Sequence, residues 1–152
     1  MSIEENLKKN NILLPKAADP VGSYVASKIT GNLLFISGQI SIDENGKILK
    51  GKIGDDLSLE DGLKGAKMCA INLIAQAKKA CAGDLNAIKN CVKLTGFVNS
   101  TNTFTDQPKV INAASNLIST IFSDKGKHTR AAVSVNSLPL GAAVEIDGIF
   151  EV

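Results

Sequence analysis

The sequence predicts an α+β domain in which a mixed β-sheet carries two helices on one face. Segments 58–83 and 106–122 have apolar residues at helical spacing, and segments 130–136 and 142–152 alternate apolar and polar residues as strands do. In chain order, the predicted elements are three strands, a helix, a strand, a helix and two strands. The length of 152 residues suits one domain with a full-sized core.

The composition is that of an ordinary folded protein. Charged residues make up 21% and apolar residues 44% of the chain, which argues against disordered, collagen-like and disulfide-dense classes. The formal net charge is only +2, and the chain has 4% aromatic residues and no Trp. A nucleic-acid binder usually carries a dense basic surface, and a single-strand binder also exposes stacking rings. We therefore expect no nucleic-acid partner.

The N-terminal region bears on location and domain organisation. The chain has no apolar stretch of the roughly 20 residues that span a bilayer, and its start, MSIEENLKKNN, lacks the apolar segment of a signal peptide. We expect a cytoplasmic protein without a membrane partner. Residues 1–19 are expected to form a surface appendage with a short helix around Ile3 and Leu7, and residues 20–152 a single domain.

The first three strands are predicted in the N-terminal third of the chain. A weak alternation marks segment 23–29, and a stronger apolar run marks segment 32–42, which only Gly38 interrupts. The pair Asn45-Gly46 then favours a tight hairpin turn. This turn leads to a short third strand predicted at 47–49.

Both long helices have recognisable starts. Ser58 and Asp61 form a capping-box pattern before the first, and Gly83 offers a left-handed cap at its end. Asp106 can cap the second, with Pro108 in its first turn. The apolar stripe of the first helix is Leu59, Leu63, Ala66, Ala70, Ile74 and Ala77, and that of the second is Val110, Ile111, Ala114, Leu117, Ile118, Ile121 and Phe122.

The strand predicted at 89–99 is largely apolar on both faces, so both faces should be covered. Two helices on one face of the sheet leave the other face without cover from the same chain. Burying about 600 Å² of that surface at about 25 cal/mol/Å² would be favourable by an order of 10 kcal/mol before the costs of association. We therefore predict that the face is a subunit interface of a homo-oligomer.

Cysteine and histidine usage limits the metal and catalytic chemistry. Cys69, Cys81 and Cys91 match no zinc-binding spacing and are expected to be reduced, buried thiols. His128 is the single histidine, so one chain cannot assemble a His-based catalytic triad or a three-His metal centre. We expect no metal site.

Two charged residues stand out within the last two apolar segments. Arg130 and Glu145 would face each other, with about 5 Å between their Cβ atoms, in a hairpin whose turn is centred on Ser137-Leu138. A turn two residues later would separate them. The two side chains could be a structural ion pair or lie on an exposed edge. Alternatively, Arg130 holds a substrate carboxylate in a two-point clamp, and Glu145 activates water beside it.

Three further polar residues are candidates for ligand contact. Ser37 precedes Gly38 within an apolar strand, where a glycine marks a bulge, a close backbone approach or a simple kink. Asn112 lies in the second helix and could equally be a surface residue. Tyr24 is the only tyrosine and could equally be a core ring with its hydroxyl at the rim.

Four segments together resemble the reactive-intermediate deaminase superfamily, RidA, also called YjgF/YER057c/UK114 and sometimes labelled endoribonuclease L-PSP. They are Gly22-Ser23-Tyr24, LLFISGQI (33–40), FVNSTNTF (97–104) and RAAVSVNSLPLGAAVEI (130–146). The resemblance extends over residues 20–152, and the longer N-terminal segment is similar to a longer-chain branch of the superfamily.

The resemblance implies a chorismate-mutase-like fold and a homotrimer with active sites in clefts between subunits. It also implies cofactor-free hydrolysis of short-lived enamines and imines, such as 2-aminoacrylate and 2-iminopropanoate, to 2-oxo acids and ammonia. The match assigns carboxylate binding to Arg130, positioning of water to Glu145, and pocket contacts to Tyr24, Ser37 and Asn112.

Three functions are open at this point. The first is the imine deaminase, whose partner is a small carboxylate-bearing imine. The second is a non-catalytic module that binds a carboxylate or a 2-oxo acid in the same cleft for a regulatory purpose. The third, a ribonuclease, rests on the family label and is disfavoured by the net charge of +2.

Overall fold

The structure, a computed structural model, describes residues 2–152. It contains three α-helices and five β-strands, together with short 3₁₀ turns. In chain order these are α1 (Ile3–Lys9), β1 (Ser27–Thr30), β2 (Leu33–Ile40), α2 (Leu59–Ala80), β3 (Asn90–Asn99), α3 (Gln107–Phe122), β4 (Thr129–Val135) and β5 (Val144–Glu151).

The strands form one mixed sheet in the order β1-β2-β5-β3-β4. All neighbours are antiparallel except β3 and β4, which are parallel and are connected by α3. Helices α2 and α3 pack against each other and against the same face of the sheet, where Val144, Ile146 and Phe150 of β5 are fully buried. The predicted α+β class is confirmed.

The last two strands do not form the predicted hairpin. β3 lies between them, because the segment after β4 crosses the end of β3 before β5 begins. Leu140 (φ 58°) and Gly141 (φ 72°) are left-handed in this segment, as expected of a turn. The turn signal was therefore correct, whereas the pairing inferred from it was wrong.

Near the N-terminus, two strand predictions need correction. β1 begins at Ser27, four residues later than the alternation suggested. The turn at Asn45-Gly46 forms, with Gly46 at φ 80°, but the third strand at 47–49 is reduced to an isolated bridge between Ile42 and Ile48. A bridge of this length adds no strand to the sheet.

Both long helices begin where the sequence predicts, but only the first is capped as predicted. Ser58 and Asp61 form both bonds of a capping box at the start of α2, as predicted. Asp106 occupies the N-cap of α3 but makes no capping bond; its carboxylate lies 3.3 Å from the Lys109 ammonium. All seven residues of the predicted α3 stripe are buried.

Helix α1 is part of the core, which corrects the expectation of a surface appendage. Ile3 and Leu7 are buried in the same apolar cluster as α2 and α3. The Asn6 side-chain amide donates a hydrogen bond of 2.8 Å to the Ile121 carbonyl. Since Asn6 is itself buried, this bond ties α1 to the end of α3.

The sheet face opposite the helices has no helix over it, so the chain covers β3 on one face only. Phe35 and Val133, on β2 and β4, remain 40% and 45% exposed there. We call this surface the open face. It also includes Thr95 and Phe97 of β3 and Glu145, Asp147 and Ile149 of β5, which are partly exposed.

The cysteines are all free, and Cys69 and Cys91 are buried as predicted, whereas Cys81 is only partly buried. Burial raises the pKa of the Cys91 thiol to about 12. None of the described helices is both long and apolar enough to cross a membrane.

Candidate active site

Arg130 is the second residue of the edge strand β4. It aligns with Leu94 of β3, whose side chain is in the core, so its side chain lies on the helix side of the sheet. Its Nη2 donates to the Pro108 carbonyl oxygen (3.2 Å), and its Nη1 donates to the Ser115 hydroxyl (3.1 Å). Both acceptors are neutral, and within residues 2–152 no carboxylate forms an ion pair with Arg130. The half-buried guanidinium therefore keeps an uncompensated positive charge.

Asn112 lies on the face of α3 that the Arg130 side chain crosses. Residues 108, 112 and 115 follow one another at spacings of four and three, so they share one face of the helix. The Asn112 side chain is exposed to solvent. Arg130 and Asn112 therefore belong to one group of polar side chains at the edge formed by β4 and α3.

A second group surrounds the strand interruption at Ser37-Gly38. Ile36 pairs with Gly148 and Gln39 with Ile146, so Ser37 and Gly38 together lie opposite the single residue Asp147. This is a β-bulge, one of the features that the glycine predicted.

The bulge makes room for the Glu145 carboxyl group. A Cβ atom at Gly38 would overlap the Glu145 carboxylate, because that carboxylate lies directly over the glycine backbone. Glycine is therefore required at this position for the present placement of Glu145.

The chain before β1 lies along the same bulge. The Ser37 hydroxyl donates to the Val25 carbonyl oxygen at 2.7 Å, and the Ser37 amide donates to the Ala26 carbonyl oxygen at 2.9 Å. Tyr24, directly before these residues, lies at the surface with 53% of the residue exposed. Tyr24 is thus available to a ligand and is not a core ring.

Glu145 is the carboxylic acid at the bulge. Partial burial raises the pKa of its carboxyl group, and the negative charge of Asp147 on the same strand adds to the effect. A raised pKa brings a carboxyl group closer to the pH at which it can both accept and release a proton. The environment of Glu145 therefore suits acid/base chemistry.

Arg130 and Glu145 lie on opposite faces of the sheet. Arg130 aligns with Leu94, whereas Glu145 aligns with Phe97, three residues further along β3. Because side chains alternate between faces, an odd separation places them on different sides. The cross-strand contact between Arg130 and Glu145, expected if a hairpin turn were centred on Ser137-Leu138, is therefore absent, and the two side chains form no ion pair.

Two residues near Arg130, Ser115 and His128, were not identified as candidates from the sequence. The Ser115 hydroxyl, which accepts from Arg130, also lies 2.9 Å from Nε2 of His128. His128 precedes Arg130 by two positions and Ser115 follows Asn112 by three, so strand and helix periodicities could have placed both near Arg130. A lone histidine outside any motif gives no other signal.

A separate cavity of about 430 Å³ lies beyond the carboxyl end of β3 and is lined in part by Lys52, Asp56 and Asn99. The Lys52 ammonium donates to the Asn99 side-chain oxygen (3.0 Å) and to the carbonyl oxygens of Ser100 (3.3 Å) and Asn136 (2.6 Å). Its donors are therefore used within the fold. Among residues 2–152, no three His, Cys, Asp or Glu side chains are grouped as a metal site would require.

Known proteins are similar to this chain in sequence and in fold. Over residues 4–150 the chain matches the family described as "YjgF/chorismate_mutase-like, putative endoribonuclease". Protein TCP17 of Trypanosoma cruzi is 41% identical over 150 residues, which cover 98% of this chain and 93% of TCP17.

Two solved structures show how the backbone compares. Protein Atu1372 of Agrobacterium tumefaciens, of unknown function, is 46% identical with a TM-score of 0.92, over 99% of this chain and 92% of that one. RidA from the Antarctic bacterium Psychrobacter sp. PAMC 21119 is 28% identical with a TM-score of 0.63, over 90% and 94% of the two chains. The resemblance predicted from the four sequence segments is thereby confirmed, and the chain belongs to the YjgF/chorismate-mutase-like family.

Proposed function

We propose that the protein is a cofactor-free hydrolytic deaminase that converts short-lived 2-imino acids and their enamine tautomers to 2-oxo acids and ammonia. The observation that carries the proposal is the state of Arg130. Its guanidinium is half-buried at an open edge of the sheet, is oriented by two neutral oxygen atoms, and has no carboxylate partner within the described chain. A substrate carboxylate would supply the missing charge in a two-point contact.

The position of Glu145 bears on how the site is assembled. Arg130 and Glu145 occupy different faces of one sheet, so a site that uses both requires two chains. We propose a homotrimer in which the edge of one subunit, with Arg130 and Asn112, meets the open face of the next, with Tyr24, Ser37 and Glu145. The exposed apolar side chains of Phe35 and Val133 on the open face favour such a contact.

The chemistry needs only water and a carboxyl group. Arg130 binds the carboxylate of the substrate. The Glu145 carboxylate takes a proton from water while the water oxygen bonds to the C=N carbon. The same carboxyl group returns the proton to the nitrogen, giving a carbinolamine. A hydroxyl proton of this intermediate then moves to nitrogen while the C–N bond breaks. The products are a 2-oxo acid and ammonia, so atoms and charge balance.

The test is imine hydrolysis measured against trapping by semicarbazide, with several imines generated in situ by an amino-acid oxidase. Arg130→Ala should lower kcat/KM by at least about 100-fold, because the reacting carbon is no longer held in place. Lys127→Ala, which removes an exposed cation three residues earlier, should leave the rate unchanged. Unchanged hydrolysis by Arg130→Ala would remove the assignment.

The same preparations distinguish the alternative functions. A carboxylate-binding regulatory module would be stabilised against heat by 2-oxo acids without accelerating ammonia release. With a net charge of +2, we expect no cleavage of RNA by the purified protein.

A further inference from the structure

The Arg130 side chain is the end of a row of hydrogen bonds that starts at the protein backbone. Nδ1 of His128 lies 2.6 Å from the Gly126 carbonyl oxygen, and Nε2 lies 2.9 Å from the Ser115 hydroxyl oxygen. That hydroxyl oxygen lies 3.1 Å from Nη1 of Arg130. Four groups are thus connected across α3, β4 and the turn between them.

The chemistry of the end groups fixes the direction of every bond. A carbonyl oxygen only accepts, so Nδ1 of His128 carries the proton, and the neutral ring has its lone pair at Nε2. The Ser115 hydroxyl then donates to Nε2. Its oxygen is left to accept from Arg130, which can only donate. The row has one consistent arrangement with the neutral ring.

The starting point of the row is held rigidly. Gly126 is buried in the 3₁₀ turn Ser123–Gly126, directly against α3. A Cβ atom at this position would be 2.6 Å from the Ile118 carbonyl oxygen, so the turn and the helix backbone are in contact. The orientation of the His128 ring is therefore set by a backbone carbonyl group and not by a mobile side chain.

We infer that Ser115 and His128 are positioning residues that hold the Arg130 guanidinium in its substrate-binding orientation. The inference rests on the proposed function. The bonds to Ser115 and Pro108 use two of the five N–H groups of the arginine, which leaves about three for a carboxylate. Because the side chain is already ordered, binding need not restrict its rotamers again.

The row predicts a specific tautomer, and the single histidine allows a direct measurement. Long-range ¹H–¹⁵N NMR spectra of the uniformly labelled protein at pH 8 will contain the ring signals of one residue only. The expected pattern is that of a neutral ring protonated at Nδ1. A ring protonated at Nε2 would overturn the inference, because Ser115 could not then donate to it.

The kinetics of imine hydrolysis and the binding of 2-oxobutanoate both test whether Arg130 depends on Ser115 and His128. Ser115→Ala and His128→Asn should each raise KM, and weaken 2-oxobutanoate binding, by about tenfold, the usual size of a lost hydrogen bond to a charged group. The value of kcat should change little, because the carboxylate is held in the ground state and the transition state alike. Ser119→Ala, an exposed serine one turn along the same helix, is the matched control.

A conservative variant separates positioning from a merely structural role. His128→Gln can present its amide oxygen near the place of Nε2 and accept from Ser115, whereas the shorter Asn cannot. His128→Gln should therefore recover most of the binding that His128→Asn loses. Equal losses in both variants, or a fall in thermal stability without a change in KM, would contradict positioning.

The outcomes distinguish this inference from the proposed function. If Arg130→Ala abolishes hydrolysis while Ser115→Ala and His128→Asn behave as the native protein does, the positioning role is wrong and the proposed function stands. If Arg130→Ala retains native hydrolysis and 2-oxobutanoate binding, both the positioning role and the proposed function are wrong.

Discussion

The Glu145 carboxyl group lies half-buried over Gly38, near the negative charge of Asp147. Burial and that charge both raise its pKa. The Glu145 carboxyl group therefore binds its proton more tightly in the folded protein than in the unfolded chain. Between the ordinary glutamate pKa of about 4.3 and the raised value, the free energy of unfolding falls as the pH rises. At a pH above the raised pKa, ionised Glu145 lowers stability relative to a neutral side chain.

Replacing this carboxyl group should exchange activity for stability. Glu145→Gln should have a higher Tm than the native protein at pH 8, and the difference should disappear below about pH 4, where the native side chain is protonated as well. Hydrolysis should fall, since an amide cannot accept the proton of water. Thermal unfolding between pH 3.5 and 8 gives the comparison, with Glu44→Gln in an exposed loop as control. A constant difference across this range would show that the effect is not electrostatic.

Candidate residues were easier to select from the sequence than the contacts between them. A glycine inside an apolar strand indicated a bulge, a close backbone approach or a kink, and the structure has a bulge at Gly38. An arginine in an apolar run made Arg130 a candidate, and its role in binding stays a prediction. The contact between Arg130 and Glu145 was wrong because it depends on the order of strands, which alternation does not encode. Ser115 and His128 lie in no recognisable motif, so only the folded arrangement connects them.

Among the elements, the long helices were predictable because cap and stripe agree over many residues. Helix α1 spans only seven residues, and the spacing of Ile3 and Leu7 indicates a helix without saying what it packs against. In the structure, this helix contributes to the core and is tied to α3 through Asn6. The opposite error occurs at 47–49, where the turn signal predicted a strand and the structure has only the isolated bridge of Ile48.

The packing of α1 can be measured through Leu7, which is 3% exposed. Leu7→Ala should lower the free energy of unfolding by about 2–4 kcal/mol, the cost of an unfilled cavity in a core. Lys8→Ala, at the exposed neighbouring position, should change it by less than about 0.5 kcal/mol. Urea unfolding at one fixed protein concentration keeps any contribution from assembly constant. Equal effects of the two substitutions would mean that α1 is an appendage after all.

At the scale of the whole molecule, the open face and the β4 edge carry opposite charges. The edge presents Arg130 without an anion, and the open face presents Glu145 and Asp147 among exposed apolar side chains. No movement within one chain brings these groups together, because the sheet lies between them. A cyclic trimer would form three copies of the same contact, each with one arginine and one glutamate from different subunits.

A site shared between subunits predicts that two inactive variants restore activity when mixed. Chains with Arg130→Ala and chains with Glu145→Gln, refolded together in equal amounts, should regain about a quarter of native activity, since in a randomly assembled cyclic trimer one contact in four pairs the two intact residues. Each variant refolded alone should stay inactive. Sedimentation velocity should show a trimer at micromolar concentration in every sample. A monomer, or trimers without restored activity, would contradict a site built from Arg130 of one chain and Glu145 of the next.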